Sequence, residues 1–147
     1  MEEGGKLTGG CLCGAVRFAA TPLKAEMDVC HCSMCQQWSG GVFMSTSCGG
    51  TLEIVKGQDQ LGLYRSSEWA ERGFCRNCGS SLFWRGIADG HVAVSMQAFD
   101  DASRFSFAEE IFIDEKPATY SFANQTRKMT GAEVIAAYAA KQEAGHG

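Results

Sequence analysis

Cys75-Arg76-Asn77-Cys78-Gly79 stands between two short runs of strand character, residues 72–74 and 81–85. A Cys-x-x-Cys pair lets one tight turn present two sulfurs to one ion, and zinc takes four such ligands in a tetrahedron. One pair fills half of that shell, so partners must come from elsewhere in the chain. Cys11-Leu12-Cys13-Gly14, where Cys11 lies 64 residues before Cys75, also places a glycine directly after its second cysteine. Glycine adopts the positive φ that a backbone folding over a metal often needs. The middle cluster, Cys30-His31-Cys32-Ser33-Met34-Cys35, lacks that glycine. This favours pairing Cys11 and Cys13 with Cys75 and Cys78 in a closed, structural site. A second partition stays open on spacing alone: Cys32 and Cys35 with Cys75 and Cys78 as a zinc ribbon, which strands Cys11, Cys13 and Cys30.

The first partition leaves Cys30, Cys32 and Cys35 as three ligands within six residues. Three protein ligands and one open position distinguish catalytic zinc from structural zinc. A thiol entering that position is held as thiolate, because coordination deprotonates it. The expectation is therefore two zinc ions per chain.

Composition supports metal over disulfides. The chain has 147 residues, eight of them cysteine, and a formal net charge of −4. A domain of that length buries about 68–70% of its unfolded surface and needs no covalent staples. No basic stripe marks a nucleic-acid partner. No apolar stretch approaches the length of a membrane span. The first residues carry no secretory pattern, so the expected compartment is the reducing cytoplasm, where thiols persist.

Alternation and β-branched or aromatic content predict strands over 15–19, 42–46, 52–55, 61–65, 72–74, 81–85, 92–96 and 110–113. Gly-Gly, Lys-Gly-Gln-Asp and Ala-Asp-Gly turns separate them. Many short strands read as antiparallel sheets, and the fold class is mainly β. A helical turn is expected over 34–37. A C-terminal helix starts at Thr130, with Glu133 completing a capping box. Val134, Ile135, Tyr138 and Ala139 share one face, read as a packing face.

Other residues carry weaker signals. Cys48 reads as a core or turn residue, with a fourth ligand to the Cys30 cluster as the alternative. His31 lies between two ligands and so points away from their metal; a ligand or acid–base role is the alternative. Trp38, Trp69 and Trp84 read as core, or else as pocket walls. Arg72 and Arg85 read as surface or supporting residues rather than carboxylate binders. Arg76 and Arg17 are candidate partners of the charged four-thiolate site. Asp100-Asp101 reads as a solvated turn.

Three ordered segments together resemble a known family. They are Gly10-Cys11-Leu12-Cys13-Gly14-Ala15-Val16-Arg17-Phe18, Cys30-His31-Cys32-Ser33-Met34-Cys35, and Arg72-Gly73-Phe74-Cys75-Arg76-Asn77-Cys78-Gly79-Ser80. The chain resembles the glutathione-dependent formaldehyde-activating enzyme family, which includes centromere protein V-type proteins. The chain reads as one domain over 1–147, with the motifs in about 8–127; the resemblance implies that it folds as a β-tent of mainly antiparallel sheets, with the short C-terminal helix read above. It implies structural zinc on Cys11, Cys13, Cys75 and Cys78, and active-site zinc on Cys30, Cys32 and Cys35. It implies a carbon–sulfur lyase that joins a small thiol, glutathione, to formaldehyde or a related aldehyde, giving S-(hydroxymethyl)glutathione. The competing expectation is a non-catalytic zinc module that binds a protein partner.

Overall fold

The computed structural model describes residues 5–146, with side chains described through residue 140. Its backbone gathers into two compact units. The first holds the N-terminal side up to Met27 together with Met44–Ser106; the second holds Asp28–Phe43 and the chain from Phe107 onward.

Two sheets organise the first unit. β1 (Leu7–Gly10), β2 (Arg17–Ala20) and β5 (Glu53–Lys56) form an antiparallel sheet in the order β1-β2-β5. Antiparallel β4 (Phe43–Gly49), β9 (Val92–Ser95), β8 (Ser81–Gly86), β7 (Ala70–Cys75) and β6 (Leu61–Arg65) follow one another in the order β4-β9-β8-β7-β6. Residues from both sheets share one buried core that includes Val16, Phe18, Leu82, Phe83, Val94 and Met96. Phe18 and Phe99 meet edge to face at 5.5 Å, a geometry favoured by the ring quadrupoles.

Glycine permits two of the closest approaches. A Cβ on Gly9 would lie 2.3 Å from the Ala98 carbonyl oxygen. Gly57 has φ +80°, and a Cβ there would lie 1.8 Å from the Ala15 carbonyl oxygen.

In the second unit, β3 (Glu26–Cys30) leads into the ligand segment, and β10 (Ser106–Ile111) pairs in parallel with β11 (Arg127–Met129). α1 (Ser33–Ser39) follows Cys32, whose sulfur caps it by accepting the Cys35 N–H. It ends at Gly40 in the left-handed region, the conformation that commonly stops a helix. α2 (Gly131–His146) begins with the expected capping box. Thr130 Oγ1 accepts the Glu133 N–H at 3.1 Å, and Glu133 accepts the Thr130 N–H at 2.8 Å.

The chain is mainly β, as expected, with the helix at its C-terminal end. Three strands escaped the sequence reading: β1, β3 and β11. The packing role of α2 needs correction, since Ile135 is 63% exposed and Tyr138 is also exposed. Alanines at 136, 137, 139 and 140 surround those side chains and leave no distinct apolar stripe. The helix is instead tied at its start, where Asp114 accepts the Gly131 N–H at 2.8 Å. No helix among the described residues is long and apolar enough to cross a membrane.

Candidate metal centres

The turn after β7 and the loop after β1 bring four sulfurs together in the first unit. Cys11, Cys13, Cys75 and Cys78 each offer a sulfur, all within 4.8 Å of one another. Cys11 and Cys13 sulfurs lie 3.6 Å apart, and Cys13 and Cys75 sulfurs 3.8 Å apart. A tetrahedron with Zn–S bonds of about 2.3 Å requires sulfurs roughly 3.8 Å apart, and both of these separations match it. None of the eight cysteines is in a disulfide.

The backbone is built to hold thiolates here. The Val16 N–H donates to Cys11 Sγ at 3.3 Å and the Cys78 N–H to Cys75 Sγ at 3.4 Å. Asn77 Nδ2 donates to Cys13 Sγ at 3.2 Å, and Ser80 Oγ lies 3.2 Å from Cys78 Sγ. Gly14 and Gly79 both have positive φ, +81° and +80°, as the shared glycine suggested.

The thiols do not titrate alike. Hydrogen bonds from the Ser80 side chain and N–H, and from the Cys13 N–H, pull Cys78 down to about 5. Burial pushes Cys75 up to about 11. Burial also works to raise Cys11, but the Val16 N–H and the neighbouring thiols outweigh it and leave its pKa lowered. Four negative sulfurs at this spacing repel one another, and a divalent cation removes that penalty.

The second unit gathers Cys30, Cys32 and Cys35, again with sulfurs mutually within 4.8 Å. Cys30 ends β3, Cys32 caps α1, and Cys35 sits one turn inside it. The pKa of Cys30 is driven far up, first by its Cys32 and Cys35 neighbours and then by burial. Three closely set sulfurs cannot all ionise unaided, whereas a bound cation would allow it. This donor set of three thiolates also suits zinc.

The remaining candidates separate. Among the described residues, Cys32 and Cys35 group with Cys30. Cys48 belongs to neither sulfur group among the described residues. It is fully buried, and burial pushes its thiol up to about 12. His31 is fully buried with both ring nitrogens bonded elsewhere, to Glu110 and Tyr120.

Other sequence readings change. Trp69 is 62% exposed rather than core, while Trp38 meets Phe43 edge-on at 5.2 Å. Arg72 is buried rather than superficial, and its Nε donates to Ser66 Oγ at 3.1 Å. Arg85 pairs with Glu71. Asp100 is not a mere solvated turn: its carboxylate takes Arg17 bidentately at 3.0 and 2.5 Å and Thr8 Oγ1 at 2.7 Å. Arg17 and Thr8 accordingly hold its pKa below the usual carboxylate range. This pair borders a cleft of about 450 Å³ beside Cys11, lined also by Ser80, Ser95 and Gln97 and by none of the tryptophans. Sequence reading missed Asn77 and Ser80 as sulfur partners; their only signal is a place within or next to a Cys-x-x-Cys turn.

Fold and site define a cysteine-rich, mainly β protein with one four-sulfur and one three-sulfur cluster fit for metal. Residues 6–115 match the family model described as glutathione-dependent formaldehyde-activating enzyme, and the chain belongs to that family. A Schizosaccharomyces pombe protein described as an uncharacterized lyase is 34% identical over 129 residues, spanning 86% of this chain and 93% of that protein. A Halomonas elongata protein, provisionally named a glutathione-dependent formaldehyde-activating enzyme, is 32% identical across 52% of this chain and 54% of its own length. A crystal structure of a Rhodobacter sphaeroides protein superposes with a TM-score of 0.57 at 25% identity, covering 64% of this chain and 88% of that one.

Proposed function

We propose that this chain is a zinc-dependent carbon–sulfur lyase-type enzyme that adds a small thiol, such as glutathione, to formaldehyde or a related aldehyde. The observation that carries this reading is the ligand count of three: Cys30, Cys32 and Cys35 converge, and His31 is turned away from them. Family membership and the lyase name of the fission yeast relative support the reaction class. In this reading Cys11, Cys13, Cys75 and Cys78 hold a structural zinc, and residues 1–147 act as one functional domain in the cytoplasm.

Bound at the trio, zinc supplies an anchor that keeps an incoming thiol ionised at neutral pH and a Lewis acid for a carbonyl oxygen. The residues supply the rest. Cys30, Cys32 and Cys35 would hold the ion with three ligands, one fewer than the four that a closed structural zinc site takes from protein. Cys32 is fixed by the Cys35 N–H at 3.3 Å. In the reaction a sulfur–carbon bond forms, the carbonyl π bond opens, and the proton lost by sulfur ends on oxygen, giving a hydroxymethyl thioether.

Metal analysis and NMR exchange spectroscopy on glutathione with formaldehyde test the proposal together. Two zinc ions and faster exchange than in buffer are expected. Two ions without acceleration would remove the reaction. A single ion per chain would favour a non-catalytic module that binds a protein partner.

A further inference from the structure

His31 is pinned on every polar atom it has. Its N–H donates to the Ile111 carbonyl at 3.0 Å, and its own carbonyl accepts Gln36 Nε2 at 2.6 Å. Its Nε2 lies 2.8 Å from Glu110 Oε1, and its Nδ1 lies 2.8 Å from the Tyr120 hydroxyl. The Tyr120 ring stacks on the imidazole at 5.5 Å.

Glu110 is as deeply placed, at 1% exposure. Its second oxygen accepts Thr126 Oγ1 at 2.6 Å and stands 3.7 Å from Lys128 Nζ. Burial works to raise its pKa, but Thr126 and His31 outweigh burial and keep the carboxyl ionised. An ionised carboxylate can only accept, so Nε2–H donates to Glu110, while Nδ1 and the Tyr120 hydroxyl share the second hydrogen bond.

A buried charged network of this kind rarely stabilises a fold more than apolar packing of equal volume. Its position suggests a different use. β3 runs extended into Cys30, and Cys32 is also extended, at φ −62° and ψ 153°. Along extended backbone, alternate side chains face opposite sides. Holding the His31 ring on one side therefore turns Cys30 and Cys32 to the other.

We propose that Glu110, His31 and Tyr120 form the positioning device of the Cys30–Cys32–Cys35 metal site. Glu110 holds the Nε2 edge of the ring and so its tilt, and Tyr120 closes the far end. This rests on the reading that the trio holds a metal. His31 is a positioning residue in this scheme.

Cadmium-113 NMR of the cadmium-loaded full chain tests the idea, because each sulfur site gives its own resonance. Wild type should show two. Glu110→Ala should shift one resonance and weaken one metal by about 10–100-fold, the usual cost of removing a partner behind the ligands. Glu110→Gln, which retains an acceptor oxygen, should restore most of the affinity. Tyr120→Phe keeps the stacked ring and should shift the same resonance by less. Should Glu110→Ala fail to fold, Tyr120→Phe decides. Two unmoved resonances in Tyr120→Phe, together with wild-type affinity in any folded Glu110→Ala, overturn the proposal. A single resonance in wild type overturns instead the metal reading beneath it.

Discussion

Replacing Cys13 by alanine isolates coordination from packing. Its side chain is exposed, unlike buried Cys11 and Cys75, so truncation leaves little cavity. A surface substitution without a special role changes stability by no more than about 0.5 kcal/mol. Cys13 Sγ nevertheless sits 3.6 Å from Cys11 Sγ and 3.8 Å from Cys75 Sγ. A structural zinc is worth about 10–16 kcal/mol in small peptides. One of four ligands then carries roughly 3 kcal/mol of that range. Such a loss weakens zinc binding by about 150-fold, at 1.4 kcal/mol per tenfold. Competition with a chromophoric chelator reads that change directly, and urea unfolding at fixed free zinc should fall in parallel. Unchanged zinc affinity in folded Cys13→Ala would refute the assignment of this sulfur to a metal.

Further outcomes follow from the same geometry. The native protein should leave Cys48 unlabelled by iodoacetamide at pH 8, because its thiol is buried and titrates near 12; modification mapped by mass spectrometry checks this, with labelling at rates of a small-molecule thiol as the contrary result. Gly57→Ala should destabilise by more than about 1 kcal/mol in urea melts, since φ is unsuited to alanine and the new Cβ meets the Ala15 carbonyl. Asp100 should titrate below ordinary aspartate by carboxyl carbon-13 NMR. Its pairing with Arg17 then stabilises the fold above the ordinary aspartate pKa, and that contribution fades as pH falls through the lowered value. The pair is partly exposed, so Asp100→Asn should cost no more than about 1 kcal/mol at pH 7.

What could be read from the chain depended on how local each signal was. β6 matched its expected bounds, Leu61–Arg65, because hydrophobic and β-prone residues sit between clear turns. The Thr130–Glu133 cap was legible because three residues contain the whole interaction. β1 was not, since Leu7-Thr8-Gly9-Gly10 has poor strand propensity. Gly9 lies there because a side chain would strike Ala98 and Phe18, a tertiary constraint. β3 carried alternation at Met27 and Val29, yet the cysteines beside it drew the reading toward metal. Glycines after two cysteine pairs pointed toward the grouping of Cys11 and Cys13 with Cys75 and Cys78. Glu110 was taken only as the start of a strand, because its partner His31 is 79 residues away and nothing local marks the bond. The apolar residues of α2 misled for the opposite reason: helical spacing is necessary for a packing face, but alanine on all sides dilutes it.

Anomalous diffraction at the zinc edge, from crystals of the zinc-loaded protein, asks whether two different sulfur sets each hold an ion. One peak should lie among the sulfurs of Cys11, Cys13, Cys75 and Cys78, and a second against those of Cys30, Cys32 and Cys35. A lone peak in the first position, with the trio empty in fully loaded protein, would contradict the account.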